Sequence, residues 1–225
     1  MPDWPSGSLL GMLSDTARDH LLQQGSLVRY PGPVKVLFRE GEESRFVVVI
    51  LRGVVKVTGS TEGRLDAMLA IRMGGDAVGE FAAVDHLPRS ATATTCGPLI
   101  ARVIKAGDFL DCIRRDPDIS HAVNKSIVAK MRVASARRVE FSGSDVPTRV
   151  ARVLLQLAQS YGIEDGNKSV IASPLTQTEL ASLAVASPPA VHRVLRRLRD
   201  EGIVATKYRS ITVLDLDGLR HAAFS

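Results

Sequence analysis

The chain has 225 residues, 45% of them hydrophobic, which suits one large domain or two modest ones with real cores. Aromatics are only 4%, so those cores rest on Val, Leu, Ile and Ala, and a formal charge of +5 is compatible with a nucleic-acid partner without requiring one. No apolar run approaches the roughly 20 residues that span a bilayer, and residues 1–11 place no basic segment ahead of an apolar stretch, so a cytoplasmic chain with no membrane association is expected.

Residues 8–24 read as one helix, with Ser8 or Ser14 as cap and Leu9, Leu10, Leu13, Leu21 and Leu22 as its apolar positions. From about residue 26 to 105 the pattern changes to short β-rich runs at 34–38, 46–51, 54–57 and 99–104, punctuated by glycines at 32, 41, 53, 59, 63, 74, 75 and 79. Many short strands with glycine turns, among them Gly41 and Gly53, predict an antiparallel sandwich or jelly roll. A short helix follows over 106–115. A long one starts at Asp116 or Pro117 and runs through Ile119, Val123, Ile127, Met131, Ala134 and Val139 to about Phe141. That stripe either packs on the sandwich or forms a coiled-coil seam with a second copy, and its near-heptad spacing favours the seam. Lys125, Lys130, Arg132, Arg137 and Arg138 are expected as solvated flanks. Residues 142–145 read as a break. Another helix begins near Asp145 or Pro147 and runs to about Tyr161, with Val150, Val153, Leu154, Leu157 and Ala158 on its core face, and residues 162–168 read as a polar turn.

The stretch Gly79-Glu80-Phe81-Ala82-Ala83-Val84-Asp85-His86-Leu87-Pro88-Arg89-Ser90-Ala91-Thr92 carries the most chemistry. Its Gly-Glu pair, a short polar loop and then Pro-Arg-Ser-Ala suggest a pocket for a sugar joined to a phosphate. Glu80 supplies an acceptor for a ribose hydroxyl, and Arg89 supplies a guanidinium fork for a phosphate. Ser90 and nearby backbone N–H groups can donate to the remaining phosphate oxygens, and Gly79 allows close approach. His86 reads as a solvent-facing loop residue. Cys96 and Cys112 are far apart and lack metal spacing, so buried free thiols are expected. No Walker-type loop or nucleophile elbow is present, and the five histidines are scattered, which argues against an enzyme.

Thr176-Gln177-Thr178-Glu179 has the form of a capping box, followed by Leu180, Leu183 and Ala184 as a buried face. After a turn at Val185-Ala186, Ser187 caps a second helix to about Asp200, with Val191, Val194, Leu195 and Leu198 as its core stripe. His192, Arg193, Arg196, Arg197 and Arg199 are its polar positions. Residues 202–214 read as a two-stranded wing with Lys207 and Arg209 at its tip, and 215–221 as a short terminal helix. A helix-turn-helix with a basic second helix and a wing fits a DNA major groove.

The stretch from Gly79 to Thr92 resembles the phosphate-binding cassette of cyclic-nucleotide-binding domains. With the long helix and the winged helix-turn-helix in order behind it, nearly the whole chain resembles the CRP/FNR family of bacterial transcription regulators. The resemblance implies an α+β fold: a β-roll over residues 1–115, a long dimerisation helix over 116–142, and a DNA-binding domain over 145–225. It implies a homodimer that binds a cyclic nucleotide, cyclic AMP by default with cyclic GMP or another nucleotide open, and double-stranded DNA with two-fold related half-sites, acting on RNA polymerase. Gly79, Glu80, Arg89 and Ser90 match the sugar-phosphate contacts. Ala134 and Ser135 fall where some members place Thr-Ser against the purine. Thr176, Gln177, Ser187, Pro188, Pro189, His192, Arg193, Arg196, Lys207 and Arg209 are candidates for DNA contact, with Arg193 at the position of a DNA-contacting arginine.

Departures from the pattern matter as much. Ala134 lacks one hydroxyl, which weakens a ligand by about 0.5–1.5 kcal/mol. The recognition helix reads Ser187-Pro188-Pro189-Ala190-Val191 where members often have Ser-Arg-Glu-Thr-Val, so the Arg and Glu that read base edges are gone. Val185 stands where the turn often has Gly; if the turn needs positive φ, it is strained. Altered operator specificity is favoured over weak, largely nonspecific DNA affinity, since the basic groups that meet phosphates remain. The alternatives are a nucleotide-sensing module that acts through protein partners with a degenerate DNA reader, and a regulator unresponsive to cyclic AMP.

Overall fold

The computed structural model describes residues 4–32, 34–60, 67–141, 143–165, 167–171, 176–207 and 210–224. They fall into two compact units, residues 1–132 and 133–225. No described helix is long and apolar enough to cross a membrane.

The first unit opens with a short 3₁₀ turn, Leu10–Met12, and α1, Asp15–Gln23. The single helix expected over 8–24 is therefore broken. Leu13 and Ser14 are extended, and the Ser14 hydroxyl accepts from the Ala17 N–H while it donates to Asp118 Oδ2 at 2.6 Å. A serine that bonds the backbone ahead of it starts a helix and does not continue one. Eight strands follow: β1 (Ser26–Tyr30), β2 (Val36–Phe38), β3 (Phe46–Arg52), β4 (Val54–Gly59), β5 (Ala67–Met73), β6 (Ala77–Val78), β7 (Thr92–Thr95) and β8 (Leu99–Lys105). They form two antiparallel sheets, ordered β1-β8-β3-β6 and β2-β7-β4-β5. The strand expected from residue 34 starts only at Val36, since Lys35 instead bonds Thr95 through its backbone.

The buried run in β3 explains the layering. Val48 and Ile50 face Phe38, Val55, Ala93 and Leu99 between the sheets. Val47 and Val49 face the other way, onto Leu10, Leu21, Phe109 and Ile119. A strand covered on both faces reads as a continuous apolar run, because neither set of alternating side chains meets water. The helices of that outer layer are α1, α3 (Ala106–Arg115) and the start of α4 (Pro117–Phe141). Between β6 and β7 lies α2, Glu80–Asp85, a short helix where the sequence suggested a polar loop; Ala82 and Ala83 bury its inner face. Cys96 and Cys112 are buried and form no disulfide among the described residues.

The second unit is built on α5, Val146–Tyr161, capped by Asp145, whose carboxylate accepts from the Thr148 N–H at 2.9 Å. Its buried residues Val150, Leu154, Leu157 and Ala158 pack among α6 (Gln177–Leu183), α7 (Pro188–Asp200) and α8 (Leu216–Phe224). Residues 162–168 are more than a turn. Ile163–Asp165 and Lys168–Ile171 form a hairpin, β9 and β10, and β10 pairs with β12 (Ser210–Val213), which pairs with β11 (Val204–Lys207). The wing is thus one end of a four-stranded sheet, β11-β12-β10-β9.

Candidate functional site

Gly79 sits at φ 86°, and a Cβ there would overlap Arg89 Nη1 and lie 3.1 Å from the Phe46 carbonyl oxygen. Glycine satisfies both the left-handed backbone and the close approach. Through that gap Arg89 reaches a buried position, 2% exposed. Its Nη1 donates to the Gly79 carbonyl at 2.9 Å, Nη2 to the Phe46 carbonyl at 2.7 Å, and Nε to Ser44 Oγ at 2.9 Å. The guanidinium lies 4.1 Å from the Phe38 ring centroid and 4.7 Å from that of Phe46, in cation–π range. Burial lowers the Arg89 pKa, and Glu42 and Glu80 offset part of that.

Glu80 opens α2 directly after Gly79, and its Oε1 accepts from Lys130 Nζ at 2.8 Å. Lys130 also donates to the Ala77 carbonyl at 2.9 Å. The two side chains are only 10% and 8% exposed. Lys130 is therefore not the solvated flank that the sequence suggested. The signal was there: Val123, Ile127 and Lys130 stand at i, i+4 and i+7, on one helix face. Arg137 likewise is tied down, to Gln156 Oε1 at 3.0 Å, whereas Lys125 and Arg132 are exposed.

Gly79, Glu80, Arg89 and Ser90 all line one pocket, with Phe38, Arg72, Phe81 and Lys130. Ser90 is exposed and His86 caps α2 at its solvent end, at φ 63°. Ala134 and Ser135 are exposed on α4, belong to the second unit, and are not among the lining residues. The donor set suits a phosphorylated sugar. A guanidinium has five N–H groups, of which three are used here, and a carboxylate accepts at about four positions. The cavity is about 80 Å³, under the roughly 300 Å³ of a typical ligand site.

In the second unit Thr176 closes a full capping box: its Oγ1 accepts from the Glu179 N–H at 3.1 Å, and its own N–H donates to Glu179 Oε2 at 2.9 Å. Gln177 is exposed beside it. The end of α6 is a Schellman motif: Ala186 N–H bonds the Ala181 carbonyl at 2.9 Å and Val185 N–H the Ser182 carbonyl at 3.3 Å. Its left-handed position, usually glycine, is Val185 at φ 47°. That conformation costs an L-residue roughly 1–2 kcal/mol. Ser187 caps α7 through the Ala190 N–H, and Pro188 and Pro189 are exposed in its first turn, where their missing N–H groups cost no helical bond. Val191, Val194, Leu195 and Leu198 are buried; Arg193 and Arg196 are exposed and make no ion pair among the described residues. His192 is half-buried and Lys207 is exposed at the end of β11, while Arg209 lies outside the described residues. Arg197 pairs with Glu201 at 2.7 Å and Arg199 bonds Thr206 Oγ1 at 2.9 Å.

Residues 31–116 match the cyclic nucleotide-binding domain family, and residues 148–222 match the Crp-like helix-turn-helix domain family. The chain belongs to the CRP/FNR family of transcription regulators. It is 29% identical over 187 residues to a CRP-like cAMP-activated global transcriptional regulator of Mycobacterium tuberculosis, covering 83% of this chain and 84% of that protein. It is 28% identical over 194 residues to the cyclic AMP receptor protein of Thermus thermophilus, covering 84% and 85%. The fold is similar to that of FixK2 from Bradyrhizobium japonicum, with a TM-score of 0.73 over 89% of this chain and 98% of that one, at 16% identity. Members of this CRP/FNR family are regulators and not enzymes, and this member pairs a cyclic nucleotide-binding domain with a helix-turn-helix.

Proposed function

We propose that the chain is a homodimeric regulator that takes cyclic AMP into the pocket at Gly79, Glu80, Arg89 and Ser90 and binds a two-fold related DNA site. The observation that carries the reading is the convergence of those four residues on one pocket. Arg89 takes the cyclic phosphate with Ser90 and Glu80 takes the ribose hydroxyl, Ala134 and Ser135 are purine-side candidates by resemblance alone, and the 116–142 segment is the dimer helix. The dimer reading is supported by α4 itself. Its stripe is buried at Ile119 and Val123 but 60% exposed at Met131, and Val128 one turn before Met131 is 49% exposed, an apolar surface left for a second copy. Arg193, Arg196, His192 and Lys207 meet the DNA, with Thr176, Gln177 and Ser187 at the backbone and Pro188 and Pro189 offering apolar surface to base edges.

The test is calorimetric titration with cyclic AMP and cyclic GMP, with Ser90→Ala as control, because Ser90 is exposed and its loss spares the fold. Saturable cyclic AMP binding that weakens several-fold in Ser90→Ala supports the pocket. Saturable binding of cyclic GMP alone reassigns the ligand, and binding of neither defeats the reading. Retention of duplexes from a random library tests the DNA arm; no duplex retained at low salt leaves a nucleotide sensor that acts through protein contacts.

A further inference from the structure

α5 carries an arginine whose three bonds all leave its own helix. Arg149 Nε donates to the Ala184 carbonyl at 2.9 Å, Nη2 donates to the Val185 carbonyl at 3.1 Å, and Nη1 donates to the Ser144 carbonyl. Ala184 is the C-cap of α6, so its carbonyl belongs to the group that a helix end leaves without an intrahelical partner. A cation there also meets the negative end of the helix dipole. The next carbonyl belongs to Val185, the β-branched residue held at φ 47°. One guanidinium thus fastens both peptide units of the strained turn to the start of α5, and Ser187, two residues on, begins α7.

We propose that Arg149 is a positioning residue for α7, clamping the α6–α7 turn in the left-handed geometry that Val185 resists. The proposal rests on the reading of α7 as the DNA-contacting helix for its consequence, but not for its geometry. Without the clamp, Val185 relaxes toward negative φ, the Ala186 N–H leaves the Ala181 carbonyl, and the entry angle of α7 is lost. Glycine at 185 holds the turn unaided, because φ near 50° costs it nothing. The two positions are therefore coupled.

The experiment is a double-variant cycle on the full chain: Arg149→Gln, Val185→Gly and both together. Two readouts are taken, hydrogen exchange of the Ala186 amide and affinity for a duplex selected from a random library by the unaltered chain, at one salt concentration. Arg149→Gln is expected to speed Ala186 exchange and to weaken the duplex about tenfold, and Val185→Gly added to it to restore most of both. If Arg149→Gln changes neither readout, or if Val185→Gly rescues neither, the clamp is refuted. Should Arg149→Gln fail to fold, Arg149→Lys carries the same cycle, with one point donor in place of the fork. If no duplex is selected, the DNA reading of α7 fails and the exchange cycle alone decides the clamp.

Discussion

Removing the Lys130 ammonium tests whether the floor of the pocket is held by a buried ion pair. Lys130→Met leaves the Glu80 carboxylate with its partner gone at a site where the side chain is 8% exposed. Leaving one charge of a buried pair uncompensated costs about 3–5 kcal/mol in a dry interior. The pocket opens to water beside Glu80, so about 2–4 kcal/mol is the expectation here. Glu80→Gln removes the charge but keeps an acceptor for Lys130, and about 1–3 kcal/mol follows. The double variant replaces both charges and is expected within about 2 kcal/mol of the parent, because a buried pair is weakly stabilising against neutral groups of similar size. The cycle therefore has a coupling energy of at least about 1 kcal/mol, and about 5 kcal/mol at the middle of those ranges. Urea unfolding at neutral pH measures all four midpoints. Raised ionic strength should leave most of the coupling in place, since buried charges escape screening. A coupling under about 1 kcal/mol, the size found for exposed pairs, would refute the argument and return Lys130 to a solvated flank.

Gly79→Ala is expected to destabilise by roughly 2.5–5 kcal/mol, combining a left-handed alanine at about 1–2 with a displaced charge-assisted bond of Arg89 at about 1.5–3; an unfolding midpoint equal to the parent's would contradict the close approach. Met131→Glu should leave the fold of each chain intact, within about 0.5 kcal/mol, yet shift sedimentation from dimer to monomer, and an unchanged dimer would move the seam elsewhere. Asp145→Ala removes the α5 cap and should cost about 0.5–2 kcal/mol at neutral pH. The hydrogen bonds from Thr148 hold the Asp145 carboxyl below its ordinary range, so its contribution is complete above the ordinary pKa near 3.9 and is lost as pH falls through the lower folded value. The difference between parent and Asp145→Ala should shrink in that acid window, and a difference independent of pH down to full acid unfolding would discard the cap argument.

Much of the architecture was legible because local signals agreed with one another. Asp145 ahead of a proline, Thr176 three residues before Glu179, and Ser187 before Pro188 each marked a helix start, and the starts are where those residues place them. The apolar run at 46–51 marked β3 as a strand. Val185 could be flagged as strained from its place in the turn, and its φ of 47° bears that out.

Other features depended on partners distant in the chain. The break at Ser14 comes from a bond to Asp118, 104 residues away. The hairpin at 163–171 exists because β10 pairs with β12, whereas its own residues are too polar and too few to read as strands. Lys130 looked like any exposed lysine until α2 brought a carboxylate within 2.8 Å, and nothing near Arg149 in the sequence points to the α6–α7 turn that it serves. The sequence by itself determined where most helices begin, where the strands run, and that a glycine, a glutamate and an arginine fall in one stretch resembling a phosphate-binding cassette, because caps, periodicity and backbone freedom are local properties. Only the tertiary structure decided which charges are buried and which carbonyls a guanidinium serves, because those depend on desolvation and on groups that meet only once the chain has folded.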